Sequence, residues 1–539
     1  MAPLSSYGTL QQGDVQRSRS GSALQGWCPA AGPTLVLILL IVGPASGALH
    51  TRQAGQQAAG RDADLVAGEA AARSECGTCH ALPPPAILPR AVWRDEIARM
   101  FLIKAGQPEP TGPRGTAARI VSLPVEWQSI VKSYEALAPE RLAPPESWPD
   151  PDDTLRFRKQ ALPGSPGSSN HTVSNLRLIY PAGDGRPSVL VSDMRTGTID
   201  EVGLENDPPT IGQLARLSNP AHAAVVDLDA DGLRDLLVAD LGSFPPGDHD
   251  RGAVVWLRGR TDRSYTAVMI TRGARVADVE AADFDGDGRL DLATAVFGWR
   301  RTGHLTILKN QTVDYDRPLF VPHLIDKRPG AIHAIPADLD RDGRPDLITL
   351  FAQEHETVVA FLNRGSMRFE TKSVYSAPHP NWGSSGIEVV DLDKDGDLDV
   401  LMTNGDMFDD QIVKPYHGIQ WLENTGAFPF IAHSLAGLPG VQRAQAADLD
   451  GDGDLDIVAC ALVPSREEGA RLASVVWLEQ TQRGRFVRHT LEIGSPTHAT
   501  LDVGDLDRDG DVDIAVGNFS VDVPIASPLS LFENLRVRK

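Results

Sequence analysis

The stretch Asp227-Leu-Asp229-Ala-Asp231-Gly232-Leu-Arg-Asp235 decides the fold of this 539-residue chain, because its pattern, Asp-x-Asp-x-Asp-Gly-x-x-Asp, is written six times. The further copies are Asp283/Asp285/Asp287/Asp291, Asp338/Asp340/Asp342/Asp346, Asp391/Asp393/Asp395/Asp399, Asp448/Asp450/Asp452/Asp456 and Asp505/Asp507/Asp509/Asp513. Their first carboxylates recur every 53 to 57 residues, so this is an internal repeat and the period governs the fold.

Carboxylates at alternate positions of a tight loop converge on one hard cation, the glycine supplies the sharp turn, and oxygen-only ligands favour Ca²⁺. The opening matches an EF-hand loop, but the place of its bidentate Glu is taken by Val238, and an Asp stands at the ninth position instead. Each loop leads into a β-rich apolar run, as in Asp235-Leu-Leu-Val-Ala and Asp456-Ile-Val-Ala-Cys, rather than into an amphipathic helix. The expectation is a set of strand-loop-strand calcium sites using all 24 of these aspartates.

One repeat contains four strand-like segments, Ala223–Val226, Leu236–Ala239, Ala253–Leu257 and Tyr265–Ile270, separated by turn residues. Four antiparallel strands at this period make a propeller blade. A degenerate copy around Gly183-Asp184-Gly185 keeps the strands and loses the carboxylates. The last repeat stops after its third strand, Leu529–Glu533, while an orphan strand, Thr154–Leu162, precedes the first. If the orphan completes the last blade, seven blades of about 55 residues close the ring over residues 153–539, in agreement with the spacing. The region resembles the FG-GAP/VCBS-type repeats of integrin α-subunit propellers and of many secreted bacterial proteins. That resemblance implies a calcium-binding seven-bladed β-propeller and says little about function, since such propellers host many activities.

The second informative stretch is Cys76-Gly-Thr-Cys79-His80, the C-x-x-C-H pattern of covalent c-type haem attachment. Two thiols three positions apart reach both vinyl groups of one haem, and His80 becomes the proximal iron ligand. A redox dithiol or half a zinc site are the competing readings. Both lack partners, because no second C-x-x-C exists and Cys28 and Cys460 sit in unrelated settings, Cys460 as an apolar filler in a blade strand. Together with the Ala-Leu-Pro-Pro-Pro immediately after it, the segment Trp93–Met100 and a terminal helix expected over Pro124–Leu142, this region resembles the small α-helical cytochrome c-like modules fused ahead of VCBS propellers in some bacterial proteins. In that helix Glu126, Trp127, Ile130, Val131, Tyr134 and Leu137 keep helical spacing, a core stripe. For the distal ligand Met100 is the candidate, His50 and Lys104 are the remaining options, and an open distal site is the alternative.

Arg17 and Arg19 precede the apolar stretch Thr34–Val42, with small residues at Ser46 and Ala48. The run is short for a bilayer of about 30 Å, so residues 1–48 read as a cleaved signal peptide, or else as a retained membrane anchor. Haem attachment and calcium both belong outside the cytosol, which places the protein in the periplasm or another extracytoplasmic space. The expected organisation is 1–48 export or anchor, 49–142 haem domain, 143–152 Pro-rich linker and 153–539 propeller.

The formal charge of −21 argues against nucleic acid as a partner. Much of it is motif carboxylate that bound calcium would neutralise. Residues about five positions before each first Asp lie roughly 16 Å from the loop at about 3.3 Å per residue, and they are polar: His222, Asp278, His333, Arg443 and, allowing a two-residue insertion, His498. Glu280, Glu388, Gln445 and Asp502 are read as following two positions on. They point toward one channel mouth, as a ligand site or as hydrogen bonds between blades. No Ser/His/Asp order or phosphate-binding Gly loop stands out, so catalytic residues are left unassigned. Two function classes remain. One is an exported monohaem cytochrome passing electrons to or from a partner protein docked on the propeller. The other is a propeller oxidoreductase or lyase acting on a sugar-like or other small molecule with haem as acceptor. A purely adhesive propeller leaves the haem motif unexplained.

Overall fold

The computed structural model describes residues 51–539 apart from 79, 109, 111–114, 152–156, 163, 165–169, 182–184, 207, 465, 521–523, 526 and 536–539. The export segment, Cys28, His50, Cys79 and the turn of the degenerate copy therefore lie outside the described residues. Two compact units make up the chain, Met1–Ala58 and Ala59–Lys539. Among the described residues no helix is long and apolar enough to cross a membrane.

Among the described residues twenty-eight strands form seven four-stranded antiparallel sheets. Six are consecutive in sequence: blade one over 173–216, two over 220–273, three over 276–326, four over 331–376, five over 384–437 and six over 441–493. Blade seven takes three strands from 498–534 and its outermost from Phe157–Leu162, which pairs antiparallel with Leu529–Asn534 from Phe157↔Asn534 to Leu162↔Leu529. The orphan strand thus closes the ring as its sequence position implied. This is a seven-bladed β-propeller.

First strands of neighbouring blades pack against one another all the way round, so they line the axis. Second strands such as Asp235–Asp240 and Asp346–Phe351 are buried along their whole length, and outer strands such as Tyr265–Gly273 alternate toward solvent. The apolar cores lie between blades: Leu237 and Trp256 of blade two meet Val279 and Leu292 of blade three. Each such side chain, fully buried, contributes roughly 1.5–3 kcal/mol, and because every core is shared, no blade is complete alone.

One irregularity is repeated in all seven blades. The first strand carries a β-bulge against the second, after Val173, Pro220, Val276, Ala331, Ser384, Val441 and His498. A bulge re-aims the side chain beside it, and in the six blades with an Asp loop the residue that resumes the register is the one five positions before the first Asp. In blade seven that residue is Thr500.

Ahead of the ring, α1 (Thr51–Glu75), α2 (Trp93–Lys104), α3 (Thr116–Ile120) and α4 (Val125–Leu137) form a small helical module. Trp127, Ile130, Val131 and Tyr134 of α4 bury against Trp93 and Ile97 of α2 and against Cys76. Trp93 and Tyr134 meet edge to face at 4.6 Å. Their polar ends hold the proline run, the Trp93 indole donating to the Pro85 carbonyl at 2.9 Å and the Tyr134 hydroxyl to Pro83 at 3.0 Å. The helix expected to run to Leu142 ends at Leu137, because Ala138 precedes Pro139 and is forced extended. Leu137 is consequently 56% exposed and Glu126 faces solvent, so neither belongs to the stripe. Ile412 of blade five joins this core. From Pro139 the chain runs without regular structure to 151, pinned by Trp148, whose indole donates to Gly437, and by Pro149, whose carbonyl accepts from Thr490.

Candidate functional site: loop rim, channel mouth and C-x-x-C-H segment

The six Asp loops share one wiring scheme. The glycine of each donates its N–H to the first Asp, at 2.8–3.1 Å in Gly232→Asp227, Gly288→Asp283, Gly343→Asp338, Gly396→Asp391, Gly453→Asp448 and Gly510→Asp505. The position two before the glycine has a left-handed backbone in every copy (Ala230, Gly286, Arg341, Lys394, Gly451, Arg508), although only two are glycine. The ninth Asp is buried, and both of its oxygens accept backbone N–H groups. Asp346 takes one from Leu339 at 3.0 Å and one from Asn363 at 2.7 Å. Asp235, Asp291, Asp399, Asp456 and Asp513 repeat this with Leu228/Gly259, Phe284/Asn310, Leu392/Asn424, Leu449/Gln480 and Leu506/Asn534. Each ninth Asp therefore staples its loop to the end of the third strand. Asn310, Asn363, Asn424, Gln480 and Asn534 at those ends are a readable signal, since they recur with the repeat.

Carboxylate atoms from positions one, three and nine come within 4.8 Å of one another in Asp227/Asp229/Asp235, Asp283/Asp285/Asp291, Asp338/Asp340/Asp346 and Asp391/Asp393/Asp399. The fifth position departs from the expectation that all four aspartates of a loop converge. Asp231, Asp287, Asp342 and Asp395 stand outside those groups. They cap the next turn instead, each accepting the N–H two residues on, and Asp452 and Asp509 do the same, from Asp454 at 2.8 Å and Asp511 at 3.1 Å. All six are exposed, so the local turn claims a carboxylate that the spacing alone assigns to the cation. A basic side chain reaches the third Asp in several loops: Arg258 to Asp229 at 2.6 Å, Arg364 to Asp340 at 2.5 Å, Arg483 to Asp393 at 2.5 Å, and Lys309 to Asp285. Even so, Oδ1 of Asp229, of Asp391 and of Asp448 is buried and makes no hydrogen bond. Burial pushes Asp291, Asp346 and Asp399 up to about 6 and Asp456 and Asp513 up to about 7. Crowded carboxylates with orphaned oxygens fit a hard divalent cation.

At the other end of the inner strands the bulge sets two tiers. Five before the first Asp stand His222, Asp278, His333, Gly386, Arg443 and Thr500, with Asn175 in blade one. Two residues on stand Glu280, Glu388, Gln445 and Asp502, with Arg177 in blade one. His498, expected in the first tier through an insertion, is not there. It lies before the bulge, 1% exposed, between Asn518 at 2.8 Å and Glu492 at 2.7 Å. Arg177 escapes a reading of the sequence because its blade lacks the carboxylates from which to count.

Several of these groups join neighbouring blades. Asn175 accepts from Ala223, Asp278 from Ala334, Glu388 from Ala446 and Asp502 from Leu178, at 2.7–3.2 Å, and Arg443 donates to Ile387. His222 Nδ1 lies 2.6 Å from Asp278, its Nε2 3.7 Å from Glu280, and His333 Nδ1 3.6 Å from Asp278, while Arg177 approaches Glu280 at 3.4 Å. Burial opposes the charge on His222, Asp278, Glu280, His333, Glu388 and Arg443. Asp278 is nevertheless held well below the usual carboxylate range by His222, and His222 is raised in turn by Asp278. Burial lifts Glu280, and pushes Glu388 up to about 7.

In the helical module Cys76 is buried at the end of α1, and Met100 on α2 packs against the same apolar cluster. His80 Nδ1 lies 2.7 Å from the Ala81 carbonyl. A carbonyl only accepts, so Nδ1 carries a proton, and in the neutral ring Nε2 is the nitrogen with the lone pair. Lys104 is engaged by the carbonyl and carboxylate of Glu75, both at 2.8 Å. Cys460 is fully buried in blade six, its thiol pushed up to about 12, as an apolar filler should be.

The family model described as FG-GAP-like repeat matches residues 227–294, 338–402 and 403–459. The chain carries FG-GAP-like repeats. The matched segments hold five of the six Asp loops, and 505–513 has the same wiring outside them. Among solved structures, the NanB sialidase from Streptococcus pneumoniae, in complex with 2-[(3-chlorobenzyl)ammonio]ethanesulfonate, is similar over 70% of each chain with 11% identity and a TM-score of 0.39. A likeness of that size carries nothing about activity. No curated protein matches the chain.

Proposed function

We propose that this protein is an exported monohaem c-type cytochrome whose propeller is stiffened by calcium and docks the protein with which it exchanges electrons. The observation that carries the reading is the Cys76-Gly-Thr-Cys79-His80 segment together with the setting of its ends. Cys76 lies in an apolar core beside Met100, and His80 has its Nδ1 proton committed to Ala81, which is how a metal-ligating imidazole is oriented. Cys76 and Cys79 would hold the porphyrin, and His80 Nε2 and Met100 are the candidate iron ligands. The group supplies one-electron redox chemistry when bound. The protein's part is to exclude water with Trp93, Trp127 and Tyr134 and to fix the imidazole.

In the propeller, the first, third and ninth Asp of each repeat would hold calcium. The orphaned oxygens of Asp229, Asp391 and Asp448 favour this. The fifth Asp would join by a small turn of its side chain. These sites are structural, because all six repeat the same wiring to the third strand.

The test is protein matured in a host with haem-attachment machinery, examined by reduced and oxidised absorption spectra and a pyridine haemochrome assay. Covalent haem that Cys76→Ser abolishes, with an oxidised spectrum changed by Met100→Ala, is expected; absence of covalent haem sinks the cytochrome reading. A second reading, a propeller that itself acts on a small molecule, rests on the aperiodic polar groups at the channel mouth. Haem reduction by a small substrate alone, without a protein donor, would favour it.

A further inference from the structure

Six loops of this molecule offer oxygen ligands only, and one place offers something different. His222 comes from blade two, Asp278 and Glu280 from blade three, and one ligand atom from each lies within 4.8 Å of the others. His333 of blade four adds a second imidazole, 3.6 Å from Asp278. We propose that His222, Asp278 and Glu280, with His333 beside them, hold one divalent transition-metal ion at the channel mouth.

Geometry is the first support. With bonds of about 2.1 Å, ligand atoms around a tetrahedral ion stand roughly 3.4 Å apart. The His222–Glu280 and His333–Asp278 separations, 3.7 and 3.6 Å, are close to that edge. His222 Nδ1 lies 2.6 Å from Asp278 Oδ1, an ion-pair contact that orients the imidazole and leaves its Nε2, on the Glu280 side, as the ligand atom. The Asp278 oxygen that faces His333 is Oδ2, and it is the one left for the ion; the side chain is 4% exposed, so water does not compete for it.

Charge is the second. Around this point four carboxylates (Asp278, Glu280, Glu388, Asp502) face two guanidiniums (Arg177, Arg443). The carboxylates outnumber the guanidiniums, and a divalent ion would offset that excess.

Ligand type sets the class of metal. Imidazole nitrogen beside carboxylate oxygen suits Zn²⁺, Fe²⁺, Co²⁺ or Ni²⁺ and is poor for Ca²⁺, so this site and the Asp loops would fill independently. Glu280 and His333 are each about a quarter exposed, at 24% and 25%, so the channel side stays open for an exchangeable water or ligand.

The site does not depend on the haem or calcium readings, and the experiment separates them. Full-length protein is stripped with chelator, refilled with excess Ca²⁺, and titrated with Zn²⁺ by calorimetry, with bound metal counted by mass spectrometry. One zinc per chain is expected despite the calcium. His222→Ala and Glu280→Gln should weaken it at least about 10-fold, while melting with the same calcium dependence as wild type, which excludes simple misfolding. The Cys76→Ser/Cys79→Ser double variant should keep the zinc. No zinc in excess calcium, zinc indifferent to His222 and Glu280, or zinc lost with the two thiols would each overturn the proposal; the first would leave a cluster balanced by imidazole protons.

Discussion

The same seven inner strands end at two rims with opposite characters. At the loop rim the chemistry repeats: six copies bury the same ninth Asp, each accepting two backbone N–H groups at 2.7–3.3 Å. At the channel mouth equivalent positions carry Asn175, His222, Asp278, His333, Gly386, Arg443 and Thr500, no two neighbours alike. Identical backbone with identical side chains is what a ring needs to close. Identical backbone with different side chains is what a single asymmetric site on the axis needs. The comparison makes the first rim the candidate for stability and the second the candidate for recognition.

Removing the cation from the repeated rim should have the largest effect. A site held a hundredfold above its dissociation constant contributes about 2.7 kcal/mol, and six act together. Chelation should lower the melting temperature by about 10 °C or more, and calcium should restore it. An unchanged melt would end the calcium assignment. Next comes the staple itself. Asp513→Asn keeps one acceptor and turns an amide N–H toward a backbone donor, either Asn534 or Leu506. A loss of about 2–4 kcal/mol is expected in urea unfolding without calcium. Asp509→Asn in the exposed part of the same loop should change stability by under about 1 kcal/mol. Equal losses would mean that the loop acts as one acidic patch rather than as a staple with a cation site around it.

How much of this is legible in the sequence differs between the rims for the same reason. A repeated signal averages over its copies: the Asp phrase, the apolar runs and the orphan strand 157–162 are enough for blade number and closure. Repetition does not reveal a second role that every copy shares, and the fifth position has one. Asp452 has the spacing of a ligand, yet in this loop as in the others that carboxylate caps the turn. The mouth has one copy of everything, so a single register error goes uncorrected. Allowing an insertion brings the imidazole of His498 into the tier, whereas the bulge occurs at the same place in every blade and puts Thr500 in the position. Arg177 is invisible because the degenerate repeat has no first Asp to count from. In the helical module, which has no period, the core stripe Trp127, Ile130, Val131 and Tyr134 is readable, but the helix end is not, because the stop is made by Pro139 acting on Ala138.

A smaller effect with a sign of its own comes from pH. In the metal-free protein Asp291, Asp346 and Asp399 titrate at about 6, and Asp456 and Asp513 at about 7, against an ordinary 3.8. A folded-state value above the unfolded one means that the folded chain holds more protons in between. Their contribution is therefore largest at low pH and is lost as pH rises through about 6 to 7. Metal-free protein should melt higher near pH 5.5 than near pH 8. With calcium the slope should reverse, because the ion binds the deprotonated carboxylates and acid displaces it. Calorimetric melts across that range, with and without calcium, check both signs; parallel curves would remove the loops from the pH response.

The smallest change is expected at the mouth, and it is the one that would break the comparison. Glu388 is pushed up to about 7 by burial, so its neutral form is readily reached, and its one backbone partner is the Ala446 N–H at 2.8 Å. Glu388→Gln keeps a carbonyl oxygen for that donor and removes one of the four carboxylates. Stability should move by less than about 1 kcal/mol, several times less than for Asp513→Asn, although both side chains bridge strands. If the two substitutions destabilise equally, the mouth is as much a part of the ring's closure as the loops are, and its mixed side chains are the blade-to-blade bonding of a wet channel. If Glu388→Gln leaves the melt in place, the asymmetry of the mouth is not needed for the fold, and binding is what remains for it to serve.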